Sequence, residues 1–556
     1  MTSAVSSARR TLWVLGLIWA CFLARGVFYS VMLPLWEGWD EWSHFDYLQY
    51  FVNTGRLPVP KVSKPYRETQ DSLRLAPLPW TLRELSIPHD RYWALSREDR
   101  AARESALRAI PRARQRQEAA EAEPIYESQQ PPLYYWLLAA PLALVQDAPL
   151  PARVFLLRCF SVALASLAIP FGFAIGRRVL GSEAMALGAV ALTTVIPVST
   201  INLSRIGNES LSLVVYTALL YLALRLVDEP AGFRTWLGLG AVLGCGLLTK
   251  VYFLTALPAV VLLCLWAIRL RRDRWKRILA GGASACALAV ALAGWWYWFI
   301  HAATGAVSGQ IQVVAAGSIT PADRWRAVFQ VEWPQALDSI LISHVWFGAH
   351  SFLQVRSWIY HFFAGVFLLV ALGLSVLMVK PRRSPVESYQ ASRAVPVLGG
   401  FLVLFAASLM YHVLVTFLLI RLSASNGRYL YCLVFAEVLL VVAGLSVLCP
   451  RAWKAWVIPF GTACVALLDF YGVNFLLLPY YHGLIAHAPD GKLQNFHLSQ
   501  LASLGWTELL SRLETNRPFL GGYPVFVLLW VLYVLATAAC VVVAILQARR
   551  TRSDPV

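Results

Sequence analysis

The chain has 556 residues, of which 58% are hydrophobic, with a mean hydropathy of +0.58 and a net charge of +17. A soluble globular fold of this length has no use for so much apolar surface. The basic residues are scattered among short loops instead of forming one face, which excludes nucleic acid as a partner and reads as topology determinants and anionic-lipid contacts. Runs of about 18 or more apolar residues recur, each long enough to cross ~30 Å of hydrocarbon as a helix. The nine cysteines, Cys21 to Cys540, lie in or beside these runs, a pattern of buried small apolar groups and not of a disulfide framework.

Taken in chain order, the first apolar run, about 11–33, follows Arg9-Arg10 and has no small-residue cleavage site, so it reads as an uncleaved signal anchor. Further spans are expected near 152–176, 183–203, 209–227, 234–249, 251–270, 277–300, 357–379, 396–420, 428–449, 454–478 and 522–546. Basic clusters at Arg177-Arg178, Arg269 through Arg277, Lys380-Arg382-Arg383, Arg451-Lys454 and Arg549-Arg550 fall on one side under the positive-inside rule, which places both termini in the cytoplasm. The run Pro131–Val145 is apolar but only about 22 Å long as a helix, so it is expected as a juxtamembrane or re-entrant element anchored by Tyr134, Tyr135 and Trp136. If it crosses, the count rises from about twelve to about thirteen spans.

This divides the chain into a first span (1–33), a large outer loop with juxtamembrane helices (34–151), a transmembrane core (152–300), a second outer loop (301–356), further core (357–478), a third outer loop (479–521) and a last span with a cytoplasmic tail (522–556). The fold class is an all-α polytopic membrane protein. In the first outer loop the charged stretch Ser96–Glu123 is predicted as a solvated amphipathic helix.

Three constellations stand out. The first is Trp36-Glu37-Gly38-Trp39-Asp40-Glu41-Trp42-Ser43-His44, where carboxylates and a histidine sit among aromatic rings at a membrane edge. Carboxylates are costly there, which points to a chemical role such as taking a proton, holding a cation or gripping a hydroxyl. Asp40 and Glu41 are expected to open a helix, with His44 one turn on. The second is a rim of cations at the outer ends of spans: Arg25, Arg153, Arg158, Arg205, Lys250, Arg421 and Arg428. Singly, such residues snorkel to headgroups; together they suit a phosphate at the outer leaflet. The third is the polar turn Ser204 to Ser210, in which Asn208 and Glu209 either converge with Asp40 or cap the next helix. His344, His350 and His361 in or beside the second outer loop lack metal-ligand spacing, and His412 is expected to hydrogen-bond a neighbouring helix.

Five passages resemble the GT-C superfamily of polyprenol-dependent membrane glycosyltransferases, in the branch with protein O-mannosyltransferases and aminoarabinose transferases. They are Asp40-Glu41-Trp42-Ser43-His44-Phe45, Gln130-Pro131-Pro132-Leu133-Tyr134-Tyr135, Asn208-Glu209-Ser210, Gly246 to Lys250, and Gly427-Arg428-Tyr429-Leu430. Two departures are visible: Gln130 stands where a histidine is frequent, and Glu209 where Asp is usual.

The resemblance implies a GT-C-like bundle of about twelve to thirteen spans and transfer of a sugar from a polyprenyl-phosphate donor to an acceptor hydroxyl, with inversion, at the outer face of a bacterial cytoplasmic membrane. The acceptor is a lipid, glycan or protein. Asp40 is the expected base, with Glu41 beside it. The substrate-binding set is His44, Glu209, Asn208, Arg25, Arg158, Lys250, Arg428, Tyr429, Gln130 and Tyr134. No cofactor is required by this chemistry; a divalent cation held by Glu37, Asp40, Glu41 and Glu209 is left open. The alternatives are a transporter, whose ionisable groups belong nearer the midplane, and an O-antigen ligase or acyltransferase using His344, His350 and Arg356.

Overall fold

The computed structural model describes residues 2–230, 232–309, 319–379, 387–519 and 521–553. The predicted basic cluster Lys380-Arg382-Arg383 lies outside the described residues, as does 310–318 of the second outer loop. Among the described residues there are helices, turns and four isolated bridges, with no strand. The chain is an all-α, multi-pass membrane protein.

Among the described residues ten helices are long and apolar enough to cross a membrane, from Ala8–Met32 to Gly522–Thr551. The segment expected as one span near 183–203 is instead a bent pair, Glu183–Thr194 and Pro197–Leu203, with 66° between them. Pro197 is the cause: it lacks an N–H and its ring displaces the carbonyl one turn back. The expected span near 234–249 forms only the short helix Phe233–Leu247, and the run expected as a juxtamembrane or re-entrant element forms the short helix Leu133–Leu144. Every expected span has a helical counterpart, but only ten stand alone as crossings, or eleven with the bent pair.

The first span packs against the last, and both lie on Glu183–Thr194. Ser357–Val379 crosses Val434–Leu448 closely enough that a Cβ on Gly373 would collide with the carbonyl oxygen of Gly444. Gly373→Val is therefore expected to cost about 1–3 kcal/mol by overpacking, read as a lower melting temperature of the purified protein. An unchanged melting temperature would mean that this crossing is loose.

Arg25 corrects an expectation. It does not reach toward a phosphate. Its Nε donates to the Thr194 carbonyl at 3.0 Å and its Nη2 to that of Val195 at 3.3 Å, so it satisfies carbonyls freed by the bend. Nη1 lies 2.9 Å from Asp469 Oδ2 and also bonds Thr537. Tyr29 and Tyr533 donate to the same carboxylate at 2.5 and 2.7 Å. This fully buried network ties the first span, the bend and two late spans together.

The predicted helix Ser96–Glu123 is α-helical only over Arg97–Arg108, since Pro111 follows closely, and a short 3-10 turn over Arg112–Gln115 comes after it. The Ser96 hydroxyl caps it by accepting from the Asp99 amide at 3.0 Å. An apolar groove of about 730 Å³ runs between Ser357–Val379, Val434–Leu448 and Val457–Gly472. Its lining begins at His344 and Tyr431 and continues to Cys449 and Trp453 at the far end of the bundle.

Candidate active site

The helix Glu41–Thr54 starts where Leu33-Pro34 has ended the first span. Asp40 is its N-cap residue and adopts φ 57°, ψ 17°, the left-handed region that few non-glycine residues visit. No side-chain capping bond explains this conformation. The carboxylate makes no bond to the helix amides, and 34% of the side chain stays accessible. Strain of this kind is retained where surrounding structure enforces it, often at functional sites.

Arg428 stands opposite. Its guanidinium lies 4.2 Å from the Trp39 ring centroid and its Nη2 is 3.9 Å from Asp40 Oδ2. The residue is 4% exposed, and its Nε and Nη1 are buried with no hydrogen-bond partner. A buried cation with two idle donors is costly unless a ligand meets them. Tyr429 completes the wall, its ring 5.2 Å from the Arg428 guanidinium and 5.9 Å from the Lys250 ammonium.

Lys250 reaches the same place from the connection after Phe233–Leu247. Its ammonium donates to Glu209 Oε1 at 2.5 Å and Asn208 Oδ1 at 2.8 Å. Asn208 does not cap the helix that follows; its amide donates to Gln130 Oε1 and to the Thr249 carbonyl, both at 3.1 Å. Arg205 Nη2 lies 2.7 Å from the other Glu209 oxygen. Gly207 makes this possible, because a Cβ there would overlap the Arg205 guanidinium and the Glu209 carboxylate. The Asn208-Glu209 turn, the Gln130 turn, the Thr249-Lys250 connection and the Arg428 turn therefore meet around Asp40, far apart as they are in sequence.

Other expected site residues have structural work. Glu41, expected beside the base, is fully buried and uses both oxygens. It accepts from Arg158 Nε at 2.7 Å and Nη2 at 2.5 Å, and from the Ile206 amide at 3.0 Å. Arg158, expected as a phosphate ligand, donates further to the carbonyls of Ser30, Leu33 and Pro34, which closes the C-terminal end of the first span. Tyr134 hydrogen-bonds Ser161 at 2.8 Å and accepts from the Gly207 amide at 2.9 Å, so it supports the turn from below.

His44 is buried, with Nδ1 2.8 Å from the Tyr135 hydroxyl. Burial, reinforced by the charge of Arg205, holds its pKa well below the ordinary value, so the ring is neutral. Its Nε2 is 3.8 Å from Glu127 Oε1.

Glu127 was not among the expected site residues. It is 5% exposed, its amide donates to Ser43 Oγ at 2.9 Å, and its Oε2 is buried without a partner. Burial first, and then the negative charge of Asp40, push its carboxyl up to about 7. The one sequence signal is its place three residues before Gln130-Pro131-Pro132.

The carboxylates considered for a divalent cation are dispersed in their bonding. Glu37 accepts from the Ser351 amide at 2.8 Å and lies 3.3 Å from His89. Glu41 is taken by Arg158 and Glu209 by Lys250 and Arg205. Among the described residues no three His, Cys, Asp or Glu side chains converge as metal ligands. His344 pairs with Glu437 at 2.5 Å, His350 packs against Trp42 within electrostatic reach of Asp40 and Arg428, and Arg356 is exposed. His412 lies 3.2 Å from Ser425 Oγ, as a hydrogen-bonding histidine should.

The cluster sets one strained carboxylate beside buried cation donors that lack a hydrogen-bond partner among the described residues, near the outer end of the apolar groove. Residues 129–298 match the family model described as dolichyl-phosphate-mannose-protein mannosyltransferase. That stretch holds Gln130, Asn208, Glu209 and Lys250, and leaves Asp40 and Arg428 outside it. Among solved structures the chain is similar to ArnT from Cupriavidus metallidurans in the apo state, at 15% identity, covering 86% of this chain and 72% of that one with a TM-score of 0.41. It is also similar to the same protein bound to undecaprenyl phosphate, at 15% identity, 87% and 76% coverage and a TM-score of 0.38. No curated protein sequence matches.

Proposed function

We propose that this protein transfers a sugar from a polyprenyl-phosphate-linked donor to an acceptor hydroxyl at the outer face of a bacterial cytoplasmic membrane. The observation that carries the reading is Arg428, with two buried, unpartnered nitrogens 3.9 Å from an accessible Asp40. The donor phosphate meets Arg428, with Lys250 beside it across Tyr429. The polyprenyl chain lies in the apolar groove, whose lining starts at Tyr431, three residues past Arg428.

Asp40 accepts the acceptor hydroxyl's proton as that oxygen bonds to the anomeric carbon. The bond from that carbon to the phosphate oxygen breaks, and the electron pair leaves on the phosphate. Arg428 offsets the added negative charge. Attack in line with the departing phosphate inverts the anomeric configuration. The site needs no help from Glu41, which serves by fixing Arg158 and the Ile206 amide.

Hydrogen bonds to charged groups contribute about 1.5–3 kcal/mol. Arg428→Met is therefore expected to raise the donor KM roughly tenfold to a hundredfold, with Arg428→Lys in between. Steady-state kinetics with a synthetic polyprenyl-phosphate sugar reads this. Wild-type KM in both variants would place the phosphate elsewhere and remove the reading.

A further inference from the structure

We propose that Glu127 is a positioning residue for the transferred sugar: its free carboxyl oxygen accepts a hydroxyl hydrogen of the donor's sugar ring while Asp40 handles the acceptor. The inference rests on the donor and base assignments above and adds a contact that discriminates sugar-bearing from sugar-free lipid.

The geometry carries it. Glu127 is anchored at its backbone, where its amide donates to Ser43 Oγ on the helix that Asp40 opens. One oxygen faces His44 Nε2 at 3.8 Å, and the other, Oε2, is buried with no hydrogen-bond partner among the described residues. Leaving a buried acceptor unmet costs about 1–3 kcal/mol, which a bound hydroxyl recovers. The neighbouring carboxylates are occupied: Glu209 holds Lys250 and Arg205, and Glu41 holds Arg158. Glu127 is thus the acceptor left over beside Asp40. Gln130 cannot replace it, because its oxygen already accepts from Asn208 and its side chain also hydrogen-bonds the Glu127 carboxyl.

The charged and titratable groups that face Glu127 are Asp40 at the N-cap and His44 within the helix Glu41–Thr54, Tyr135, Glu209, Lys250 and Tyr429. Burial and Asp40 raise its pKa, Lys250 opposes them, and the outcome is about 7. A hydroxyl donated to the carboxylate favours the ionised form. Donor binding should therefore strengthen as pH rises through about 7 and weaken below it.

The test uses the full-length enzyme and a synthetic undecaprenyl-phosphate hexose that it turns over, with sugar-free undecaprenyl phosphate as competitor. Glu127→Gln is expected to raise the donor KM about tenfold, equivalent to one lost hydrogen bond of about 1.4 kcal/mol. kcat should fall less, the competitor's inhibition constant should stay at the wild-type value, and the inflection of kcat/KM near pH 7 should vanish. Glu127→Asp keeps a titrating carboxyl and should retain the inflection with a raised KM; it stands in if the Gln variant misfolds. A wild-type donor KM and pH profile in the Gln variant would overturn the proposal, and so would equal weakening of the sugar-free competitor. The competitor arm separates this from the donor-phosphate assignment, which Arg428→Met tests by itself.

Discussion

Asp40→Asn is expected to lower kcat by about 10²–10⁴-fold, the usual contribution of a positioned base, while the donor KM changes little. An acceptor hydroxyl is nearly as weak an acid as water, and an amide cannot take its proton. The substitution is also structurally quiet for a specific reason. Residue 40 sits at φ 57°, and asparagine tolerates the left-handed region better than almost any other residue with a side chain. The carboxylate makes no capping bond that the helix would miss, and its nearest cation is 3.9 Å away. A melting temperature near wild type alongside lost turnover would therefore locate the defect in the chemistry. Full activity in this variant would remove Asp40 as the base.

Glu41→Ala should behave in the opposite way. It leaves Arg158 buried without its carboxylate, and breaking such a pair costs about 3–5 kcal/mol. The three carbonyl bonds from Arg158 do not compensate for the missing charge. The expected result is a large drop in melting temperature and in yield, with activity falling in proportion to folded protein. The double variant Glu41→Met with Arg158→Met removes both charges at similar volume and should regain most of the stability. If Glu41→Ala keeps wild-type stability and loses only kcat, then Glu41 is part of the chemistry after all. Asp40 and Glu41 are adjacent in sequence, yet these two experiments are expected to separate them completely.

That separation shows what one chain of letters discloses. The crossings were legible because twenty-odd apolar residues have few other fates in water. The motif turns were legible as a set because unusual polar residues at span ends stand out against an apolar background. What was not legible is which member of each pair faces the ligand. Asp40 and Glu41 differ by a backbone twist at φ 57° that no local pattern announces. Arg25 and Arg428 read alike, as cations near span ends, but Asp469 lies 444 residues from the first and neutralises it. Glu127 was hidden for a similar reason. Its significance depends on a missing partner, and a missing partner is visible only once all neighbours are in place. The bend at Pro197 was foreseeable in principle, since a proline within an apolar run interrupts the ladder.

The network at Arg25 bears on how the protein is made. Its arginine is synthesised well before the groups that neutralise it. Asp469 follows 444 residues later and Thr537 512 residues later. At about 5–20 residues per second the carboxylate trails the arginine by roughly half a minute to a minute and a half. During that interval the guanidinium is an unneutralised charge in a helix, a burden of about 2.5–3.5 kcal/mol by insertion scales. Relief comes in stages: the carbonyls of Thr194 and Val195 follow Arg25 by 169 and 170 residues, and the carboxylate comes much later. The helix that carries Arg25 therefore becomes fully at ease in lipid only once the helices that carry Asp469 and Thr537 have been translated.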